Sequence, residues 1–403
     1  MFKPESLERF ADPLVRVYAD VTDALLVNIA RHFNVSATGN TGTFEWQVQK
    51  LAELGQMTQE NIAIIAYYTG ADSGLLREAL TQSMLLALDA VEPELKRAAL
   101  AGFLYPAEPP PEVSSGAMQA LESYYRQASD KLNLVNTVML QSSLDQYRRV
   151  VADTLAYEAQ LTAAQEILNT AAGEVITGSF AHRDAVRRAV KRMAAEGLTG
   201  FVDRGGHRWT PEAYVSMDVR TTMTNTAHAA TWARCDEYGN DLILVSTKAA
   251  AREKCYPWQN KVLSRTNNAR DVTDLDGNAI HVYAMSQTSY GQPDGLFGIN
   301  CHHFSSPFTP GFSTLGDVPE PETVNQKQYK ESQRQRALER NIRAAKLDVS
   351  IAKATGDEDA ETNAKRRLRE RQADMRAFIR ETNRSRRYDR EYTPTEFKED
   401  WTK

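Results

Sequence analysis

The sequence predicts an α+β protein that is mostly helical. It divides into a helical domain over 1–178, a small α+β module over 179–315, a charged helical hairpin over 324–391 and a tail over 392–403. Apolar residues recur every three or four positions through most of the chain, as in helices that bury one face. Between 246 and 311, Gly, Pro, Cys, His and aromatic residues concentrate instead, which is typical of a compact module with fixed turns.

The apolar spacing predicts the first helices one by one. A helix is expected over 14–33, where one face is apolar throughout. Thr58 is expected to cap a second helix that Gly70 ends, and 73–90 repeats the apolar pattern. Pro93 is expected in the first turn of a further short helix, where its missing N–H is not needed.

A linker and a long helical region complete the N-terminal domain. The prolines Pro106, Pro109, Pro110 and Pro111 predict a stiff surface linker. The segment 114–172 contains no Pro, and no Gly beyond its first turn. It is therefore expected to form either one long helix or two packed helices.

The module begins with two predicted helices. The first spans 181–196, carries a basic face and ends at Gly197. Thr210 is expected to cap the second helix, with Pro211 in its first turn. A turn is expected between them at 203–207.

A small sheet follows these helices. Strands are predicted at 242–246, 261–263 and 280–283 because short apolar or β-branched runs lie between turn residues. Asp276 and Gly277 form a hairpin-turn signal just before the last strand. The module is therefore expected to combine a small sheet with long loops.

The segment around Trp258 predicts a tight turn in this module. Pro257 and Asn260 flank the tryptophan and are expected to fix the turn. Trp258 should then pack in the core of the module beside Cys301.

The C-terminal region carries a charge opposite to that of the remaining chain. Between 326 and 391 there are 19 Lys or Arg and 12 Asp or Glu, a net charge of +7, whereas the rest of the chain has −12. Thin apolar stripes predict two helices separated by a break at 355–357. The basic residues cluster on the second helix and just beyond it: Lys365, Arg366, Arg367, Arg369, Arg371, Arg384, Arg386, Arg387 and Arg390. This basic cluster has three interpretations: it contacts DNA, it docks onto a protein partner or the acidic body, or it is merely a solvated surface.

Metal-ligand residue types gather in the module, and four of them would suffice for a zinc site. They are Cys255, Cys301, His302 and His303, with Cys235 or His228 as further members. The paired spacing of a zinc ribbon is absent, so no metal and no cofactor is expected. The alternative to a metal is that Cys301 packs in the core while a histidine bonds nearby backbone. Three cysteines without a Cys-x-x-Cys pair also argue against a disulfide framework.

An enzymatic alternative depends on Ser246 and Thr247, which end a predicted strand, and on Arg220 or Arg234 before it. This order resembles ADP-ribosyltransferases, which use an arginine, a strand with Ser-Thr-Ser and a glutamate pair. Here Lys248 replaces the third Ser, and no Glu-x-Glu follows within the module. We therefore expect no catalytic residue, and an ejected ADP-ribosyltransferase-like effector is the alternative function.

Membrane and secretion signals are absent from the sequence. No apolar run approaches the roughly 20 residues that span a bilayer, and the first residues lack the apolar core of a secretory signal. We expect no membrane contact and residence in the cytoplasm of the producing cell.

Short motifs follow one another along the chain, most densely from 181 to 311. They are Arg-Asp-Ala-Val-Arg-Arg-Ala at 183–189, Ala-Tyr-Val at 213–215 with Arg220 and Thr221, Pro-Trp-Gln-Asn-Lys-Val at 257–262, Gly-Ile-Asn-Cys-His-His at 298–303, and Pro310 with Gly311. In this order they resemble the phage minor capsid proteins of the type-2 family, relatives of the MuF-type head morphogenesis proteins. The family usually has His where Lys248 and Cys255 stand, and Gly where Asn260 stands. Asn tolerates a positive φ, so a left-handed turn is still expected there.

The resemblance implies a component of the virion of a tailed phage or prophage. Such a protein binds the portal protein, lies inside the capsid near the portal vertex, and helps head assembly, DNA packaging or genome release. It is made in the host cytoplasm, with the major capsid or scaffolding protein as further partners. Packaged double-stranded DNA would be contacted through the hairpin at 324–391.

Overall fold

The computed structural model describes residues 5–34, 43–107, 114–172, 178–198, 201–202 and 208–393. The helices are α1 (Glu5–Arg31), α2 (Thr43–Thr69), α3 (Asp72–Leu100), α4 (Ser115–Ala172), α5 (Gly178–Glu196), α6 (Pro211–Glu237), α7 (Glu322–Ala354) and α8 (Glu358–Thr382). The strands are β1 (Phe201–Val202), β2 (Arg208–Trp209), β3 (Leu242–Val245), β4 (Val262–Ser264), β5 (Arg270–Thr273), β6 (Ala279–Ala284) and β7 (Ser305–Pro307). This composition confirms the prediction of a mostly helical α+β protein.

Three helix boundaries predicted from sequence are wrong. The first helix, α1, begins at Glu5 rather than at 14. Thr58 does not begin a helix but lies inside α2, where its hydroxyl donates to the Leu54 carbonyl at 2.6 Å. A threonine can make this bond to the preceding turn without ending a helix. Pro93 likewise lies inside α3, which continues because its buried face extends on both sides, through Leu88 and Leu95. The region 115–172, in contrast, forms the single long helix that was one of the two alternatives.

The described residues belong to two compact units, each assembled from separate stretches of chain. The first unit comprises Met1–Val15, Ala71–Leu132 and Val215–Gln333, and the second comprises Arg16–Gly70, Asn133–Tyr214 and Arg334–Lys403. Four helices, α1, α4, α6 and α7, contribute residues to both units.

A five-stranded mixed sheet lies in the first unit, in the order β5-β6-β4-β3-β7. Strands β4 and β6 pair in parallel, and the other neighbours pair antiparallel. The three predicted strands are confirmed, and Gly277 adopts a φ of 80° in the turn between β5 and β6. The edge strands β5 and β7 were missed because Arg-Asp-Val-Thr and Ser-Ser-Pro lack an apolar run.

Helices pack closely around this sheet in the first unit. Gly116 of α4 meets α6 so tightly that an added Cβ would lie 2.8 Å from the Cβ of Ala233. The start of α7 is held by Asn325, whose buried side chain accepts from the Ala251 amide at 2.7 Å and donates to the Ala251 carbonyl at 2.8 Å. The first contact packs α4 against α6, and the second holds the start of α7 to the loop that carries Cys255.

Helices make up most of the second unit. Its core includes Phe33, Trp46 and Tyr147, whose rings contact one another in pairs. Thr210 caps α6 as predicted, since its hydroxyl accepts from the Ala213 amide at 3.2 Å. Gly197 follows α5 with a φ of 65°, as expected of a glycine that ends a helix.

The predicted hairpin consists of α7 and α8. Asp357 caps α8 by accepting from the Ala360 amide at 3.0 Å, directly after the predicted break. Ile342 packs against Met375 and Phe378 in a small apolar cluster between the two helices. The two-helix prediction is therefore confirmed.

No helix within the described stretches is both long and apolar enough to cross a membrane. Parts of three predictions lie outside the described residues: the turn at 203–207, the linker at Pro109–Pro111 and the tail beyond 393.

Candidate functional site

Cys255, Cys301 and His303 come together in the first unit, and we refer to them as the cysteine–histidine cluster. The Cys255 and Cys301 sulfurs lie 3.9 Å apart, and the Cys301 sulfur lies 3.4 Å from His303 Nδ1. The potential ligand atoms of all three residues lie within 4.8 Å of one another. All three side chains are buried, with exposed fractions of 1, 7 and 2%. The residue types expected from the sequence do meet here, and His303 bonds a sulfur rather than the backbone.

A tight turn places Cys255 at this site. The Trp258 amide donates to the Cys255 carbonyl at 3.1 Å, which closes a single 3₁₀ turn over Tyr256–Trp258. Asn260 follows with a φ of 57°, so the expected left-handed residue is present without glycine. Its side chain accepts from the Gly316 amide at 2.8 Å. Trp258 packs partly buried against the apolar cluster that includes Cys301, as predicted.

The loop that carries Cys301 is closely packed against itself. An added Cβ on Gly298 would lie 2.6 Å from the Gln292 carbonyl oxygen, and one on Gly295 would collide with the Ser289 carbonyl. Between these glycines Phe297 is buried and has a φ of 58°. A bulky residue rarely adopts this conformation, so tertiary packing must hold the loop in it. The Cys301 amide then donates to Gly298 O at 3.0 Å, which fixes the cysteine backbone.

The two thiols of the cluster have opposite electrostatic environments. Donation of a hydrogen bond from Cys255 holds the pKa of Cys301 well below its usual range, and His303 acts in the same direction. The pKa of Cys255 is raised because its thiol donates this hydrogen bond to Cys301, and burial raises it further. The arrangement therefore favours a thiolate on Cys301 and a proton on Cys255.

The other metal-ligand candidates do not all join this cluster. Cys235 packs in a separate apolar cluster with Val91, Leu95 and Tyr238, and burial raises its pKa to about 12. A zinc site that includes Cys235 is therefore wrong. His302 is exposed, although it is the neighbour of the buried His303.

His228 lies close enough to the cluster for Cys301 and His303 to influence its charge. Burial lowers its pKa to about 4, so its ring is neutral near pH 7. The ring contacts Phe297 and Phe304 edge-on, with centroid distances of 4.6 and 4.8 Å. Within the described chain, its Nε2 atom is buried and has no hydrogen-bond partner.

The residues of the enzymatic alternative are separated. Ser246 and Thr247 line a cavity of about 280 Å³, whereas Arg220 does not line it and pairs with Asp12 at 3.3 Å. The Ser246 hydroxyl accepts from the Phe304 amide at 2.8 Å, and the Thr247 hydroxyl donates to the Asp317 carbonyl at 2.6 Å. Both hydroxyls therefore hold loops in place, and the enzymatic function stays a prediction.

Arg234 forms a buried ion pair that the sequence did not indicate. Its guanidinium donates to both carboxylate oxygens of Glu92 at 2.7 Å, and Tyr238 donates to the same carboxylate at 2.9 Å. Arg234 is fully buried, and Glu92 is 6% exposed. The pair joins α3 to α6 across a sequence separation of 142 residues, which no local pattern could have indicated.

A second candidate surface lies on α8. Lys365, Arg369, Arg376 and Arg380 are exposed and follow one another at intervals of four, seven and four residues. At about 100° per residue this spacing places them within an arc of about 60° on the helix. We call this arc the basic stripe. Glu370 and Asp374, the two acidic residues of this stretch, both fall outside the arc.

Several other arginines of the hairpin region are held by acceptors instead. Arg386 makes two hydrogen bonds of 2.7 Å to Glu391, and Arg387 pairs with Glu339 at 2.9 Å. Arg384 donates to Gln335 at 2.8 Å. Of the predicted basic cluster, the portion beyond α8 therefore stabilises the end of the hairpin.

Comparison with known proteins extends these observations. A family model described as "Phage minor capsid protein 2" matches residues 2–163 and 161–380. A "Structural protein" of Lactococcus phage LL-H is 25% identical over 352 residues, which cover 87% of this chain and 89% of the relative. No solved structure matches the chain.

Proposed function

Since the chain belongs to the phage minor capsid protein 2 family, it is a structural component of a phage head, and we propose that it acts at the portal vertex. The portal protein would be its principal binding partner, with the major capsid or scaffolding protein as neighbours during assembly. From the capsid interior it would support head assembly, DNA packaging or genome release. The observation that carries this proposal is the family match, because it covers the N-terminal helices, the sheet and most of the hairpin together.

The basic stripe supports a contact between the hairpin and packaged DNA. Lys365 also pairs with Glu361, whereas the three arginines project from the exposed side of α8. Packaged DNA is the most abundant polyanion inside a filled head, and positive side chains bind its phosphates without reading base sequence. Basic side chains aligned along one arc of a helix match a linear row of phosphates better than basic side chains dispersed around the helix would.

Portal binding can be tested by co-expression with the portal protein of the same phage. We expect the two proteins to co-purify, and the protein to be present in purified virions at low copy number by quantitative mass spectrometry. Failure to co-purify, together with absence from the virion, would refute the proposal. The same mass spectrometry before and after DNA ejection distinguishes a resident head protein from one that leaves with the genome.

The DNA contact can be tested by changing charge without truncation. Deleting the hairpin from 324 onward would remove Asn325, which is buried and anchors Ala251, so a deletion would disturb the first unit as well. Arg369, Arg376 and Arg380 should instead be changed together to Gln. The matched control changes Arg340, Arg366 and Arg371 to Gln, which removes the same charge from other exposed positions of the hairpin.

The expected result is a loss of DNA affinity in the stripe variant only. The slope of log K against log salt is negative, and its magnitude should fall by roughly 0.9 for each phosphate that the variant no longer neutralises. Equal reductions in affinity in the two triple variants would mean that net charge, and not the stripe, determines binding. Retained DNA binding with loss of portal binding would assign the stripe to the portal instead.

A further inference from the structure

The cysteine–histidine cluster has the dimensions of a metal site. A tetrahedral zinc ion holds thiolate sulfur at about 2.3 Å and imidazole nitrogen at about 2.0–2.1 Å. Two such sulfurs then lie about 3.8 Å apart, and a sulfur and a nitrogen about 3.6 Å apart. The observed separations are 3.9 Å between the sulfurs and 3.4 Å between Cys301 Sγ and His303 Nδ1. We propose that Cys255, Cys301 and His303 bind one Zn²⁺ ion.

The residue types select the class of metal. Two sulfur atoms and one imidazole nitrogen favour zinc over calcium or magnesium, which require oxygen ligands. The cluster contains only these three side chains and no carboxylate. Two thiolates and a neutral imidazole would also balance the charge of a divalent ion, which matters because all three side chains are buried.

Packing without a metal accounts less well for the same atoms. A sulfur–sulfur hydrogen bond of 3.9 Å is long, and without a metal it is the direct contact that would hold the two cysteines together. A disulfide needs a sulfur–sulfur distance of about 2.05 Å and would leave His303 without a role. In the described chain, Nε2 of the nearby His228 is buried without a hydrogen-bond partner. A buried polar atom of this kind is costly unless it binds something.

The ion would join two segments that regular secondary structure does not connect. Cys255 precedes the turn into β4, whereas Cys301 and His303 lie 46 and 48 residues later, just before β7. The segment 288–304 contains no helix or strand. A zinc ion would therefore fasten this loop to the sheet and support the left-handed conformation of Phe297. With three protein ligands, the fourth tetrahedral position is available to a water molecule or to a further side chain.

Metal content of the full-length protein tests the proposal directly. The protein should be produced with added zinc, kept reduced and analysed by mass spectrometry for bound metal. We expect one zinc ion per chain. After removal of zinc with a chelator, added Co²⁺ should give the thiolate-to-cobalt charge-transfer absorption of a site with cysteine ligands.

The chain offers a matched control. Cys255→Ser, Cys301→Ser and His303→Ala should lose stoichiometric zinc and the cobalt absorption. Cys235→Ser, which also removes a buried cysteine but in the separate cluster, should retain both. Equal loss in Cys235→Ser would overturn the assignment of the ligands.

The measurement on the unsubstituted protein does not depend on whether the variants fold. Wild-type protein with reduced thiols that contains no zinc and gives no cobalt absorption would overturn the proposal. Zinc content is measured on the protein alone, so its outcome is independent of portal binding.

Discussion

Two carboxylates, one in each unit of this protein, have pKa values that burial raises, but their environments are otherwise opposite. In the first unit, Glu92 receives two hydrogen bonds from Arg234 and one from Tyr238. Burial raises its pKa, but these partners outweigh burial and hold the pKa below the usual value. In the second unit, burial is the main reason that the pKa of Asp23 is raised to about 8, and Glu212 and Asp20 add to the effect. Arg343 opposes the shift only in part.

Burial alone therefore does not determine the charge of a side chain. Glu92 is ionised at neutral pH because a fixed guanidinium matches its two oxygens. Asp23 lies close to two other carboxylates, those of Glu212 and Asp20. Arg343, the cation that lowers the pKa of Asp23, is already paired with Glu212 at 2.8 Å. One carboxylate therefore stabilises the folded state as an anion, and the other does so as a neutral acid.

The largest expected effect is the loss of the buried ion pair. Glu92→Gln removes the carboxylate that accepts two hydrogen bonds from Arg234 and leaves Glu237 as the remaining counter-ion, so we expect the free energy of unfolding to fall by about 3 kcal/mol, the lower end of the range for a broken buried ion pair. Chemical denaturation at pH 7 measures this change. Glu78→Gln, at an exposed position of the same helix, is the control and should stay within about 0.5 kcal/mol of wild type.

The pH dependence of this variant sharpens the comparison. A carboxylate with a lowered pKa contributes stability at neutral pH that is lost as pH falls through its folded pKa. The difference between wild type and Glu92→Gln should therefore shrink in acid. A difference that stays constant from pH 7 into acid would contradict the role of Glu92 as an anion.

An effect of opposite sign is expected at Asp23. Its folded pKa of about 8 lies above the ordinary value of 3.8, so its contribution is complete below pH 4 and is lost as pH rises to about 8. Asp23→Asn keeps a neutral side chain at every pH. We expect it to equal wild type in acid and to be more stable at pH 8 by on the order of 1–2 kcal/mol, less than the full pKa shift because the side chain is only partly shielded from water.

Denaturation midpoints measured from pH 4 to 9 test this prediction. The matched control is Asp12→Asn, a carboxylate of the same helix that is paired with Arg220. A variant at Asp23 that is less stable than wild type at pH 6, where a folded pKa of about 8 leaves the side chain neutral, would contradict the prediction.

The smallest expected effect concerns an ion pair in which one partner is buried and the other is exposed. Asp357 is buried and caps α8, but its partner Arg187 is 40% exposed. Asp357→Asn should retain the capping bond and lose only the charge, at a cost of about 0.5–1 kcal/mol. Asp357→Ala, which also removes the cap, should cost about 1 kcal/mol more when measured by the same denaturation. Equal losses of stability in the two variants would assign the whole effect to the ion pair.

Elements set by local chemistry could be predicted from the sequence. Thr210 with Pro211, the break at 355–357 and Asp276 with Gly277 each combine a backbone preference with a nearby hydrogen bond, and all three appear as predicted. Thr58 and Pro93 carry similar local signals, but apolar faces that continue through them determine the helices there.

Contacts between distant residues could be predicted only in part. The concentration of cysteines and histidines indicated the right region for a site, and packing then separated Cys235 from Cys255 and Cys301. Glu92, which pairs with Arg234, and Glu212, which raises the pKa of Asp23, come from other helices, so neither interaction could be inferred from neighbouring residues. Strands β5 and β7 depend on pairing with neighbours and carry little signal of their own.

The two outer strands of the sheet also determine how the protein can meet its neighbours. At one edge, β7 has three residues and includes Pro307, which has no N–H to offer an added strand. At the other edge, Arg270 and Asp271 of β5 are engaged with Asp241 and His281 at 2.9 and 2.7 Å. Short, proline-containing and charged edges resist strand-to-strand aggregation. In a crowded assembly, copies of this chain would therefore remain separate unless their side chains recognise each other.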